Sequence, residues 1–264
     1  MGAFLITFRE SLEAGVIVGM LFAILHLFEK RKKDIYLWAG VGAGIISSLL
    51  FAWFFHAFLG GFEGKNEKIY EGILMFVACG LITHMVFWMR EKGKCLKRDV
   101  ADKIHGILKK KTLWMLAVLS FCAVIREGIE TVIFLNAIEA QGDGAISLLW
   151  GIFGIVAAVA LSYGIYFSSH KLNPKRFFQV SGMLLLVIAA GLLAHGIVEF
   201  QGAGWFPIIK KPVYDLSFVF SEKEGLGLYL KALFGYDANP SIIAVVGYWL
   251  FITIVGWMYF GRKK

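Results

Sequence analysis

The sequence predicts an all-α integral membrane protein: seven transmembrane helices, arranged as a 3+3 inverted-topology repeat with one further helix at the C-terminus. Three observations carry that expectation. Of the 264 residues 58% are hydrophobic and 17% charged, more apolar surface than one soluble core can hide. The apolar residues fall into seven runs of about 20, the length a helix needs to cross a hydrocarbon slab roughly 30 Å thick. Lysine and arginine collect in alternate connections between those runs, as they do in a chain that crosses a bilayer repeatedly.

The first run, Phe4–Leu27, has no basic opening and is interrupted by Arg9, Glu10 and Glu13, so it reads as a retained helix rather than a cleaved leader. The second, Tyr36–Leu59, carries Gly40-Val-Gly-Ala-Gly44, glycines that let helices approach closely. They are no nucleotide loop, because no strand precedes them and no Gly-Lys-Ser/Thr follows. The third run, Ile69–Met89, begins with Tyr70-Glu71-Gly72 and closes on Trp88-Met89. The fourth, Leu113–Ile138, contains Arg126, Glu127 and Glu130, the fifth, Ile146–Ser168, has no charge, and the sixth, Phe177–Phe200, ends beside Glu199. The seventh, Ser241–Phe260, follows a long connection, 201–240, in which Trp205, Phe206, Pro207, Phe218 and Phe220 stand among charges. That connection is expected to cap the mouth of the protein or lie in the interface. Spanning segments must satisfy every backbone N–H and C=O internally, and runs this continuous lack the short alternation of a β-barrel. Residues 1–264 are expected to form a single transmembrane domain.

The net charge of +8 would suit nucleic acid if it lay along one soluble face, but it does not. Nineteen basic residues fall in the first, third and fifth connections and the tail: Lys30–Lys33, nine from Arg90 to Lys111, Lys171, Lys175, Arg176 and Arg262–Lys264. Six fall in the others: Lys65, Lys68, Lys210, Lys211, Lys223 and Lys231. The positive-inside rule then places the N-terminus outside and the C-terminus in the cytoplasm. The expected partner of this surface is membrane lipid, with no nucleic acid. Cys79, Cys95 and Cys122 show no redox or zinc spacing.

The chain also repeats itself. Phe4-Leu-Ile-Thr-Phe-Arg9-Glu10-Ser-Leu-Glu13 returns as Phe121-Cys-Ala-Val-Ile-Arg126-Glu127-Gly-Ile-Glu130 at an offset of 117, and Gly80-Leu-Ile-Thr-His84 returns as Gly191-Leu-Leu-Ala-His195. The units are about 4–89 and 113–200. Each holds three helices, an odd number, so the second enters from the opposite side, as in secondary transporters whose substrate sites lie near mid-membrane between the repeats.

Charges at bilayer depth are costly, about 2.5–3.5 kcal/mol each on insertion scales, and usually mark a pathway or site. Six of the eight in the seven runs belong to the two Arg-Glu-x-x-Glu motifs; the others are Glu71 and Glu199. On a helix Glu10 and Glu13 share a face and Arg9 reaches Glu13 four residues on; Arg126, Glu127 and Glu130 repeat the pattern. Four carboxylates without thiolate or clustered imidazole suit a hard, highly charged cation, and Fe³⁺ fits best on charge. Arg9 and Arg126 would balance the carboxylates while the site is empty. Ion pairs that merely fix helix packing are the competing reading of these motifs.

With these motifs the sequence resembles the oxidase-dependent iron transporters, the fungal high-affinity iron permeases and the bacterial permeases of ferrous/ferric uptake operons. Besides the two motifs, the resemblance takes in Tyr70-Glu71-Gly72, Trp88-Met89, Gly191 to Glu199-Phe200-Gln201, and Leu233-Phe234-Gly235-Tyr236 through Asn239-Pro240-Ser241. It implies a permease that moves Fe³⁺ inward, with Glu10, Glu13, Glu127 and Glu130 handling the metal. No cofactor is expected to be bound permanently; iron is the substrate. Any iron-oxidising or iron-delivering extracytoplasmic partner is expected to be a separate protein, and the location is a cell (inner or plasma) membrane.

Glu71 and Glu199 are auxiliary candidates for a vestibule that attracts cations, His195 for an auxiliary ligand or proton carrier four residues before Glu199, and His84 for an exit role. Two alternatives stay open: a proton-coupled carrier of another metal cation, and a membrane-embedded haem or metal enzyme with His84 and His195 as axial ligands.

Overall fold

The computed structural model describes residues 2–27, 34–59, 64–92, 102, 114–140, 144–167, 174–207, 213–214, 227, 230–231 and 234–261. Among them seven long helices follow one another: α1 (Gly2–Leu27), α2 (Asp34–Leu59), α3 (Lys65–Lys92), α4 (Trp114–Ile138), α5 (Gly144–Phe167), α6 (Pro174–Gly202) and α7 (Ile242–Gly261). They are the seven apolar runs, extended mainly at their polar starts. α2 gains Asp34 in its first turn, where an acid suits the positive end of the helix dipole. α3 begins right after Gly64, whose φ of 67° turns the chain into the helix. α6 begins at Pro174, which has no N–H to leave unpaired there. The basic connections, Cys95, the tail and most of 208–226 lie outside the described residues.

The faces left bare are apolar. Trp38, Leu49 and Trp53 on α2, Leu149 and Val156 on α5, and Trp249 and Trp257 on α7 are each more than half exposed, a surface that lipid supports and water does not. α2, α3, α6 and α7 are long and apolar enough to span on composition alone; α1 and α4 are interrupted by the three charges of each motif. The protein is an all-α, multi-pass integral membrane protein.

The most extensive pairings are α1 with α5, α2 with α4 and α3 with α6; α1 also crosses α4, and α7 lies on α6. Small residues set them. Thr7 meets Gly154 and Ser162 meets Gly15 across α1–α5, while Ser120 meets Gly40, Val124 meets Gly44 and Ser48 meets Gly128 across α2–α4. Residue numbers rise together in both seams, so each pair runs parallel. Across α3–α6, Gly72 meets Phe200 and Gly182 meets Val86, so that pair is antiparallel. Alternate crossing by seven spans demands those senses. A hydroxyl crosses each parallel seam: Thr7 Oγ1 lies 2.8 Å from the Gly151 carbonyl and Ser120 Oγ 3.1 Å from that of Leu37.

The α1–α5 seam is tight enough to test. A Cβ on Gly154 would stand 2.6 Å from the Phe4 carbonyl oxygen, backbone that cannot swing aside. Gly154→Ala is expected to push α1 off α5 and lower the thermal stability of detergent-purified protein by roughly 1–3 kcal/mol, read by thermal unfolding against the wild type.

The end of α6 is fixed by a Schellman turn. Gly204, at φ 80°, donates to the Gln201 carbonyl, and Trp205 donates to that of Phe200. The Phe200 and Trp205 rings stack at 5.3 Å over the reversal, the hydrophobic contact that often accompanies that motif. Glu199 therefore sits on a firmly ended helix.

Candidate metal centre

α1 crosses α4 where both carry Arg-Glu-x-x-Glu. One carboxylate oxygen from each of Glu10, Glu127 and Glu130 lies within 4.8 Å of the other two. Glu10 is fully buried, Glu127 is 4% exposed and Glu130 is partly buried. The Oε2 atoms of all three are buried with no hydrogen-bond partner. Three buried carboxyl oxygens left without a hydrogen-bond partner are costly in an apolar slab, and a hard cation among them removes that cost. Among the described residues no other group of three such side chains comes together.

The arginines are placed alike but not identically. Arg9 Nη1 is 3.0 Å from Glu10 and Arg9 Nη2 is 3.7 Å from Glu13. Arg126 Nε is 3.1 Å from Glu130 and 3.8 Å from Glu127. The spacing argument expected the i,i+4 partner in both motifs; it holds for Arg126, whereas Arg9 takes its neighbour Glu10 as the closer one. A third partner explains the difference. Arg9 Nη1 also contacts Met85 Sδ at 2.7 Å, and the Arg126 guanidinium lies over the Trp88 ring at 4.9 Å. Both come from α3 and neither was singled out for a charged site. In the sequence Trp88 figures only through the Trp88-Met89 pair of the family resemblance, and Met85 lies three residues before it on the same run.

Glu13 is buried and held by Arg9, close enough to feel the charges of Glu127 and Glu130, but it is not in the three-carboxylate group. The structure thus gathers three of the four expected ligands and sets the fourth beside them. Glu71 lies close enough to Glu199 to feel its charge: both are part-buried and share an electrostatic neighbourhood with Glu67 and Lys68. Lys68 lies against the end of α6, its Nζ 2.8 Å from where a Gly202 Cβ would be. His195 Nδ1 is 3.1 Å from the Gly191 carbonyl, and the ring borders a cavity of about 230 Å³ that also touches Tyr214, Asp237 and Tyr248. His84 is exposed. Segment 234–240 reaches α6 through Gly235, at φ 64°, whose backbone abuts Gly191 so closely that a Cβ on Gly191 would lie 2.6 Å from the Gly235 Cα.

Residues 1–260 match the iron permease FTR1 family. This chain belongs to that family. The match spans α1 through α6 and nearly all of α7. The ferrous iron permease EfeU of Yersinia pestis is 34% identical over 251 residues, covering 94% of this chain and 89% of the relative. Its namesake in Yersinia pseudotuberculosis serotype I (strain IP32953) is also 34% identical, over 94% and 88%. That of Escherichia coli O6:K15:H31 is 31% identical, over 94% and 91%. No solved structure matches the chain. Family membership makes the protein a transporter and not an enzyme, so the membrane-embedded haem or metal enzyme with His84 and His195 as axial ligands falls away.

Proposed function

We propose that the chain takes up iron as Fe³⁺, carrying it inward at Glu10, Glu127 and Glu130 with Glu13 beside them. The observation that carries this reading is the set of buried carboxylate oxygens without donors, from two helices that the family's motifs bring together. Carboxylates are hard ligands, and among the described residues no imidazole or thiolate joins the group, which favours a small trivalent ion over a softer one. The relatives are named ferrous iron permeases, so valence is the part of the proposal that experiment must decide.

In this reading 4–89 and 113–200 are inverted repeats. The pairings support it, since exchanging α1 with α4, α2 with α5 and α3 with α6 maps the set of principal contacts onto itself. Glu71 and Glu199 lie at the outer mouth, with the N-terminus outside and the C-terminus in the cytoplasm, and raise the local cation concentration there. Rocking of the repeats then exposes the carboxylates to each side in turn. Oxidation or delivery of iron falls to a separate extracytoplasmic protein.

Radio-iron uptake by cells, with Fe³⁺ and Fe²⁺ offered separately to the wild type and to Glu130→Gln, tests both parts. The expected result is uptake from the Fe³⁺ supply that the mutation removes. Normal uptake by Glu130→Gln overturns the site; preference for Fe²⁺ when re-oxidation is blocked overturns the valence. A proton-coupled carrier of another cation would announce itself by a metal that outcompetes iron.

A further inference from the structure

We propose that Met85 and Trp88 are positioning residues: from one turn of α3 they hold both motif arginines partly off the carboxylates, and so set how readily the site accepts its cation. This rests on the reading of Glu10, Glu127 and Glu130 as the transport site.

Each arginine has three partners. One carboxylate is at salt-bridge distance, 3.0 Å for Arg9 and 3.1 Å for Arg126; a second is too far for a hydrogen bond, 3.7 Å and 3.8 Å; the third partner is a side chain of α3. The guanidinium groups hold Oε1 of Glu10 and Glu130 and leave each Oε2 without a donor, so arginine and cation compete for the charge of the same carboxylates, and the closer the guanidinium the weaker the pull on the cation. The sulfur and the indole face are weak, charge-free partners that hold the guanidinium without consuming an anion. Without them the long contacts to Glu13 and Glu127 are free to close, and the arginines compete harder with the metal.

α6 offers no such grip. The relation that carries Gly80 and His84 onto Gly191 and His195 carries Met85 onto Gly196 and Trp88 onto Glu199. Where α3 ends in a sulfur and an indole on two cations, its counterpart ends in an acid within electrostatic reach of Glu71. About 25 Å of α3 separates Glu71 from Trp88, so the repeat is broken chemically along one axis: acid at one end, captive arginine at the other. Because Met85 and Trp88 share one turn of one helix, any displacement of α3 relaxes or tightens both arginines together. That ties cation affinity to the position of a single helix.

The test is the concentration dependence of radio-iron uptake, in whichever valence the wild type takes up, scaled to the amount of protein in the membrane. Trp88→Leu removes the ring face, Trp88→Phe keeps one, and Met85→Leu removes only the sulfur at nearly constant volume. We expect KM to rise roughly 3- to 10-fold in Trp88→Leu and in Met85→Leu, with maximal uptake per molecule nearly unchanged, and Trp88→Phe to restore the wild-type KM. A merely structural role would lower abundance or maximal rate and leave KM where it was. Wild-type KM in both leucine variants, or the same KM in Trp88→Leu and Trp88→Phe, overturns the inference. If Glu130→Gln alone is inactive in the same assay, the transport site stands and only the role of α3 falls; normal uptake by Glu130→Gln brings down the site itself.

Discussion

Glutamine in place of Glu127 is expected to abolish iron uptake while leaving the protein in the membrane and at least as stable as before. Glu127 is 4% exposed and meets Glu10 and Glu130 where none of the three Oε2 atoms has a donor. Glutamine keeps the shape and removes the charge. Its amide N–H₂ would then donate into the cluster, toward oxygens such as Glu10 Oε2, and fill with a hydrogen bond the place a cation needs. Losing one charged ligand of three costs a bound cation about 3 kcal/mol, roughly a hundredfold in affinity. The same exchange relieves repulsion among buried carboxylates, so thermal unfolding in detergent should shift upward or not at all, a trade of function for stability that strained sites commonly show. In uptake, Glu10→Gln and Glu130→Gln should follow Glu127→Gln, and Glu13→Gln, outside the three-carboxylate group, should be the mildest of the four. Uptake by Glu127→Gln at the wild-type rate would mean that the ion travels elsewhere.

The order of those four effects marks where sequence reasoning ends. Hydrophobic run length located all seven helices, because a spanning helix is specified by composition over about 20 residues and tolerates errors of a turn at either end. The errors fell at Asp34, Lys65 and Pro174, where polar or imino residues open a helix that the apolar pattern starts later. The motif spacing placed two glutamates on one face of each helix. It could not say how far α1 rotates against α4, and that rotation is set by Thr7, Gly151 and Gly154 on a seam the motifs do not touch. Hence Glu13 stands beside the group rather than in it. The arginine contacts of Met85 and Trp88 were hidden for a different reason: a methionine and a tryptophan in an apolar run are the commonest kind of packing residue, and only the arriving guanidinium gives them another task.

The two arginines look interchangeable in the sequence and should behave very differently when replaced. Arg9 is 1% exposed, sealed against Glu10 and Met85, whereas the Arg126 side chain is 42% exposed and touches Trp88 from an open side. Arg9→Leu leaves the buried carboxylates of Glu10 and Glu13 without their counter-charge in a medium that solvates them poorly. Breaking a buried pair by removing one partner costs about 3–5 kcal/mol, a large share of a typical folding free energy. Arg126→Leu removes a guanidinium that the protein leaves 42% exposed, so less of its pairing with Glu127 and Glu130 is sealed inside the protein and the loss is expected to be the smaller of the two. Detergent-purified Arg9→Leu is therefore expected to unfold at a markedly lower temperature than the wild type, or to fail to accumulate, while Arg126→Leu stays close to it. Adding Glu10→Gln to Arg9→Leu should recover much of the loss, since the stranded charge goes with it. Equal thermal stabilities for the two leucine variants would contradict this contrast: the environment of Arg9 would have to be as open as that of Arg126, and the carboxylates of α1 would not be sealed from water by the protein at all.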